Sequence, residues 1–205
     1  MDNICINDVV YQLNRKRHTA TIVKVEEVYP IIVIPENITD GYDMFNVVGI
    51  KSAVFHKLSD LEQVYLPPTI KKIGSHAFSE CPKLEKVVCD NKDCVKIGNL
   101  AFAGCHSLME INISGEVELS ANVFYNCRNI REIKLKVIGE IVSSTFNNCP
   151  NLHELHMLSN KPLIIGYGAI YGCENLNTIH INGSVVDNAG ILNLAYEGLS
   201  ISIGT

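Results

Sequence analysis

The sequence predicts an α/β-type repeat solenoid that is mostly β, with a parallel strand ladder, short helical or 3-10 turns and a β-rich N-terminal cap. Two observations predict this fold. Cysteines recur 24, 22, 22 and 24 residues apart, and each stands in the same pattern of apolar residues. A fixed period of this length indicates stacked units that share one continuous core. These cysteines are Cys81, Cys105, Cys127, Cys149 and Cys173.

Each unit supplies one strand and one turn of the predicted solenoid. The first clear unit reads Ala77-Phe78-x-x-Cys81-x-x-Leu84-x-x-Val87, and the fifth has Ile170 in the Phe position. The last apolar pair of each unit lies two residues apart, as in Val87 and Cys89, which is the strand period. The stretch from Ala to Cys is too short for a full helix, so it predicts a helical or 3-10 turn. We expect a buried phenylalanine ladder of Phe78, Phe102, Phe124 and Phe146.

A second short extended segment separates each strand from the next turn. It is rich in Ile and Val and usually ends at a glycine, which predicts a second strand in each unit. The segments that show it are 70–73, 95–97, 137–141 and 163–165.

The period divides the chain into a cap, residues 1–50, and a solenoid of six to seven repeats, residues 51–205. Leu58 occupies the Cys position of an upstream unit, and Ala195 occupies it in a degenerate last unit whose strand is 201–203. The cap has predicted strands at 9–13, 20–23 and 31–34. A cap is needed because the terminal unit of a solenoid would otherwise expose its core face and open edge.

The run Leu61-x-x-Val64-Tyr65-Leu66-Pro67-x-x-Ile70-x-x-Ile73-Gly74, followed by Ala77-Phe78-x-x-Cys81-x-x-Leu84, closely resembles the BspA-like leucine-rich repeat. The resemblance covers residues 54–181. It implies a curved, right-handed solenoid with a parallel strand ladder. It also implies surface adhesion and protein–protein binding at the cell surface or after secretion, chiefly in host-associated bacteria and some protists. The sequence differs from the usual member in showing no signal peptide, wall anchor or second domain.

Composition excludes some partners. The formal net charge is −5, which disfavours nucleic acid because its binding depends on Lys and Arg at the phosphates. No apolar run approaches the roughly 20 residues that a membrane helix needs. The start of the chain has neither the basic segment nor the apolar core of a signal peptide. The chain is therefore either cytoplasmic or exported by a signal outside this sequence.

The cysteines are interpreted as buried, reduced core residues. The Cβ atoms of cysteines on neighbouring rungs would lie about 4.8 Å apart, at the strand spacing. A disulfide needs these atoms about 3.8 Å apart. No CxxC or CxxH motif indicates a metal site, and an apolar position would suppress reactivity by raising the thiol pKa. Cys89 and Cys94 flank a loop, so a bridge between them stays open, and the state of Cys5 is undetermined.

The outward residues of the strands form two columns on one exposed face, and any binding function is expected there. The alternative is a solvated polar face, since the columns hold few aromatic residues and no Trp. The candidate binding residues are Tyr65, Lys86, Glu110, Asn112, Glu132, Lys134, Glu154, His156 and His180.

Glu154, His156 and His180 would lie close together, because the two histidines fall on neighbouring rungs about 5 Å apart. Two imidazoles and a carboxylate form an open transition-metal site in some proteins. The spacing also follows automatically from the repeat, and the sequence identifies no supporting ligands around it. We therefore expect no metal and no other cofactor.

Enzyme motifs are absent from the sequence, since no GxSxG, HExxH, Walker loop or dinucleotide fingerprint is present. The sequence therefore predicts a non-catalytic binding module, either a surface adhesin for a protein or glycan or an intracellular interaction scaffold. The last strand offers an open edge through which the chain could dimerise.

Overall fold

The computed structural model describes residues 2–141, 143–158, 164–166, 168–182 and 200–204. The chain begins with an antiparallel cap of β1 (Asn3–Ile6), β2 (Val9–Asn14) and β3 (Thr19–Val25). Residues of β2 alternate between buried and partly buried positions, because one face of the strand packs on the core. The strands predicted at 9–13 and 20–23 are therefore confirmed.

Fifteen further strands lie in the described part of the chain. They are short, as expected for a solenoid in which each rung contributes only a few residues to a ladder. In order they are β4 (Ile31–Val33), β5 (Asn37–Thr39), β6 (Met44–Ile50), β7 (Gln63–Leu66), β8 (Lys72–Ile73), β9 (Lys86–Cys89), β10 (Val95–Ile97), β11 (Glu110–Ile113), β12 (Glu116–Leu119), β13 (Glu132–Val137), β14 (Glu140–Ile141), β15 (Glu154–Leu158), β16 (Ile164–Ile165), β17 (Thr178–Asn182) and β18 (Ser200–Gly204).

These strands form two parallel ladders, which we call the front and the back ladder. The front ladder contains β4, β7, β9 and β11 in one paired block, and β13, β15, β17 and β18 in a second. The back ladder pairs β6, β8, β10 and β12, and β14 pairs with β16. Strand β13 takes part in both ladders. Its residues Glu132–Leu135 pair with β15 of the front ladder, and Lys136 and Val137 pair with β12 of the back ladder.

The parallel ladders confirm the solenoid and the predicted strand 201–203, which pairs with β17 as part of β18. The degenerate unit's Ala195 and residue 163 lie outside the described residues. One interpretation was wrong. The segment 31–34, expected in the cap, forms the first strand of the front ladder. It lacks the Phe and Cys positions that make the other rungs recognisable, so the period did not reveal it.

Between the back and front ladders runs a turn layer that stacks Phe on Phe. Neighbouring rings from Phe55 to Phe146 lie 4.8–5.6 Å apart and within 9° of parallel. All five of these phenylalanines are fully buried. The predicted phenylalanine ladder is confirmed and extends one rung further, to Phe55.

The segment from Ala to Cys is a series of turns, so the expected helical or 3-10 geometry was wrong. Two residues four apart in each rung have positive φ, as at His76 (56°) and Glu80 (57°). Such left-handed residues interrupt a helix. The φ values allow alternate backbone N–H groups to bond between rungs. For example, Phe78 N donates to Ala101 O at 2.8 Å, and Phe102 N donates to Val123 O at 3.0 Å.

Each ladder cysteine is held in place by a hydrogen bond as well as by packing. Each ladder thiol lies next to the backbone carbonyl of the phenylalanine in the preceding rung, with Cys127 Sγ 3.1 Å from Phe102 O. The same contact recurs at Cys81, Cys105, Cys149 and Cys173, at 2.8–3.1 Å. All eight cysteines are unpaired, which leaves no bridge between Cys89 and Cys94.

Burial suppresses the chemistry of the ladder thiols. It raises the pKa of Cys81 to about 11 and the pKa of Cys127 to about 12, because a thiolate would be poorly solvated there. Cys89 is buried as predicted, whereas Cys94 is only partly buried and Cys5 is exposed. Cys81 and Cys127 are therefore poor nucleophiles near neutral pH.

Candidate functional site

The front face is the outward surface of the front ladder, and it brings the predicted binding residues into register. Tyr65 lies opposite Val88, which lies opposite Asn112. In the second block Lys134 lies opposite His156, which lies opposite His180. The neighbouring column aligns Lys86 with Glu110, and Glu132 with Glu154. All nine candidate residues therefore lie on this face.

The N-terminal end of the front face is apolar, which the sequence analysis missed. Strand β4 places Val33 opposite Tyr65, so the column reads Val33, Tyr65, Val88. Val33 is 68% exposed and Ile31 is 52% exposed. Exposed apolar residues that adjoin one another often indicate a contact surface for a partner. We call Ile31, Val33, Tyr65 and Val88 the apolar end.

A cavity of about 310 Å³ adjoins the apolar end, between β4 and the cap. Its lining includes Tyr11, Val25 and Tyr29, together with Ile31 and Val33. Tyr29 is 48% exposed, and its hydroxyl donates to Asp8 at 3.0 Å. Ile31 and Val33 therefore border a cavity with tyrosines in its wall, which Asp8 also lines.

Strand β4 is the terminal strand of its block, so one of its edges has no strand partner among the described residues. Pro30 O accepts from Gln63 N, and Ile34 N donates to Tyr65 O. Because alternate residues of a parallel strand bond to opposite sides, the backbone groups of Ile31 and Val33 point away from β7. Pro30 and Pro35 bracket this edge and keep it short, a common way to limit unwanted pairing.

The rest of the front face is ionic and largely self-paired. Lys86 contacts Glu110 at 2.9 Å, and Lys134 contacts Glu132 at 2.6 Å. His156 Nε2 lies 3.2 Å from Glu132 and 3.1 Å from Glu154. Surface ion pairs of this kind contribute little stability, about 0–1 kcal/mol each. We call this part of the front face, from Lys86 to His180, the ionic end. It presents a pattern of charges that could orient a partner, and little apolar contact area.

A second surface was also missed, a basic groove of about 540 Å³ between the cap and the back ladder. Its lining includes the cationic residues Arg17, Lys51, Lys71 and Lys72, and the hydroxyl-bearing residues Thr19, Thr21 and Ser52. Lys71 Nζ lies 3.9 Å from the carboxylate of Asp93, which is outside the lining. The cations come from positions up to 55 residues apart in sequence, so no single charge run contains all of them.

The repeat pattern and the parallel ladders agree with one known repeat class. The family model for the BspA type leucine rich repeat region matches the chain in six copies, over residues 32–153 and 91–190. The chain belongs to this leucine-rich repeat family. Repeat proteins of this kind generally present an extended surface to a protein partner rather than a catalytic cleft. Among the described residues, no helix is long and apolar enough to cross a membrane.

Two solved leucine-rich repeat structures are similar to the chain. One is a leucine rich cell surface protein from Faecalibacterium prausnitzii A2-165, with a TM-score of 0.69 and 23% identity, covering 88% of this chain and 55% of that one. The other is the leucine rich repeat protein of T. pallidum, with a TM-score of 0.60 and 23% identity, covering 96% and 98%. The chain thus spans about half of the first protein. No curated protein matches it.

Proposed function

We propose that the chain is a non-catalytic module that binds a protein partner through the front face, with the apolar end as the centre of contact. The observation that carries this proposal is the in-register column Val33, Tyr65, Val88 beside the cavity walled by Tyr29. Tyrosines in partly enclosed apolar surroundings often supply a large share of protein–protein binding energy. The self-paired ionic end then fixes orientation, because mismatched charges would penalise wrong partners.

Cell-surface display is the location we favour. It is supported by the family and by the printed description of the F. prausnitzii relative as a cell surface protein. An intracellular interaction scaffold is the second candidate. The eight unpaired cysteines favour it, since exported proteins usually oxidise such residues in pairs. Labelling intact source cells with a membrane-impermeant biotin reagent decides between the two, with a known cytoplasmic protein as control.

The binding proposal is tested with purified wild-type protein and two matched tyrosine variants. Tyr65→Ala alters the apolar end, and Tyr171→Ala alters a 67% exposed tyrosine in the turn layer. Each is immobilised and exposed to host-surface and cell-lysate proteins, and bound proteins are quantified by mass spectrometry. We expect a partner that is retained by wild type and by Tyr171→Ala and lost with Tyr65→Ala. A partner retained equally by all three would contradict the proposal.

An anionic glycan at the basic groove is a second candidate ligand. Four cationic and three hydroxyl-bearing residues line the groove, and none of its described lining residues is acidic. Sulfate or carboxylate groups would pair with such a surface. Binding to immobilised heparin, with Lys51→Glu and Lys72→Glu against Lys134→Glu on the front face, tests this. Loss only in the groove variants supports glycan binding there, and equal retention by all contradicts it.

A further inference from the structure

The front face carries a cluster of metal-ligating side chains at its ionic end. Glu154, His156 and His180 each offer one ligand atom, and these atoms lie within 4.8 Å of one another. The two imidazole rings stack with centroids 4.4 Å apart and planes 19° from parallel. The register of β15 and β17 holds them there, because His156 and His180 are directly paired.

The local charges around His156 favour a cation. Its Nε2 faces two carboxylates at once, Glu132 at 3.2 Å and Glu154 at 3.1 Å. A single imidazole N–H cannot donate strongly to both acceptors. A divalent cation would bind the Glu154 carboxylate and the imidazole nitrogens together.

We propose that Glu154, His156 and His180 form a binding site for a late first-row transition metal, with zinc as the preferred ion. Two imidazole nitrogens and one carboxylate oxygen are a donor set that zinc accepts, with the fourth position left for water or another ligand. Zinc–nitrogen bonds are about 2.0–2.1 Å, so the ligand atoms must move closer together and the stacked rings must turn their nitrogens towards the ion. The exposed carboxylate and the partly exposed imidazoles can do this by side-chain rotation.

The structure also supplies the supporting groups that the sequence did not identify. Lys134 Nζ holds Glu132 at 2.6 Å, and Glu132 reaches the same imidazole as Glu154. Glu132 is therefore placed to take the fourth position. The earlier expectation of no metal rested on the absence of such groups. Neither the apolar end nor the partner proposed above is needed for this site.

Isothermal titration with zinc chloride tests the site directly. All proteins carry Cys5→Ser, so that the exposed thiol does not contribute, and are first dialysed against EDTA. The variants are His156→Ala, His180→Ala and Glu154→Gln, with His106→Ala as an exposed histidine outside the cluster. We expect one saturable site per chain, weakened about tenfold or more in each cluster variant and unchanged in His106→Ala.

Cobalt substitution adds an independent readout of the ligands. The expected spectrum has ligand-field bands of a low-symmetry site with nitrogen and oxygen ligands, and no thiolate charge-transfer band. Far-UV circular dichroism confirms that each variant is folded. Absence of saturable zinc binding at micromolar concentrations would overturn the proposal. Equal affinity in His156→Ala, His180→Ala and wild type would also overturn it, since the zinc would then lie elsewhere.

Discussion

The turn layer keeps the same residue type on successive rungs of the repeat, whereas the front face varies it. In the turn layer, every rung from Phe55 to Phe146 places the same ring on the same stack. On the front face, the central column changes from Val33 and Tyr65 to Lys134 and His156. A position that repeats on every rung is fixed by stacking geometry. A position that varies along the ladder is free of that constraint and available to specify a ligand.

The largest expected effect lies in the turn layer. Phe124→Ala should reduce the free energy of unfolding by about 3–5 kcal/mol, because it removes a buried ring between two stacked neighbours. Urea unfolding followed by circular dichroism measures this change. Phe124→Leu keeps most of the volume and should cost clearly less. A wild-type-like urea midpoint for Phe124→Ala would show that the phenylalanine stack does not stabilise the fold as described.

Alkaline pH should destabilise the same layer. Burial raises the pKa of Cys81 to about 11 and of Cys127 to about 12, above the ordinary value of 9.0. Below pH 9 the thiols are neutral in both the folded and the unfolded chain. Between about pH 9 and 11 the unfolded chain ionises first, so its free energy falls and stability is lost. Unfolding midpoints at pH 8, 9.5 and 10.5 measure this loss, and a flat profile would contradict it.

Removing a ladder cysteine side chain should lower the free energy of unfolding less than removing a ladder phenylalanine does. Cys127→Ala removes a small buried side chain and its hydrogen bond to Phe102 O, so we expect a cost of about 1–2 kcal/mol. Cys5→Ala, at an exposed cysteine, is the control and should be near neutral. Thermal melting of both variants gives the difference. Equal melting temperatures would show that neither the packing of the thiol nor its hydrogen bond contributes to stability.

The turn geometry predicts an unusual glycine effect. Glu80 is exposed and has a φ of 57°, so Glu80→Gly should be more stable than Glu80→Ala by about 0.5–1 kcal/mol. In a helical segment the order would be reversed, because glycine disfavours a helix relative to alanine. Chemical unfolding of the two variants therefore separates turns from helix by the sign of the difference.

The smallest effects on stability are expected on the front face. Asn112→Ala and Lys134→Ala alter exposed outward residues, so each should change the free energy of unfolding by no more than about 0.5 kcal/mol. The same urea titration measures both. A loss of 2 kcal/mol or more at either position would show that the front face supports the fold, which would blur the distinction between the two regions.

Much of the fold was predictable because a sequence period translates directly into neighbours in space. Val64 and Leu66 were correctly placed inward, and the outward columns were aligned in the correct register. The left-handed turn residues were predictable only in part. Glycine or asparagine occupies most of these positions in later rungs, as at Asn126, whereas His76 and Glu80 carry no sequence sign of positive φ. The thiol hydrogen bonds also need the backbone of the preceding rung, whose position no single unit reveals.

The candidate site was predicted only in part. Its ionic end follows from the register of visible repeats, so Glu154, His156 and His180 were recognised as neighbours. Its apolar end includes Ile31 and Val33, whose segment lacks the repeat signature and joins the ladder through pairing with β7. The basic groove arises where cap strand β3 meets the back ladder. Contacts between non-repeating and repeating segments cannot be deduced from the period.

The most direct test of the division between the turn layer and the front face measures both stability and partner binding in two variants. Val33→Lys changes the apolar end with a residue that natural edge strands carry, and Cys127→Ala changes the turn layer. Thermal melting and partner capture are measured on each. We predict that Val33→Lys melts like wild type but loses the partner, while Cys127→Ala melts lower but retains it. If Val33→Lys captures the partner as wild type does, or if each variant loses both properties together, the assignment of binding to the apolar end is wrong.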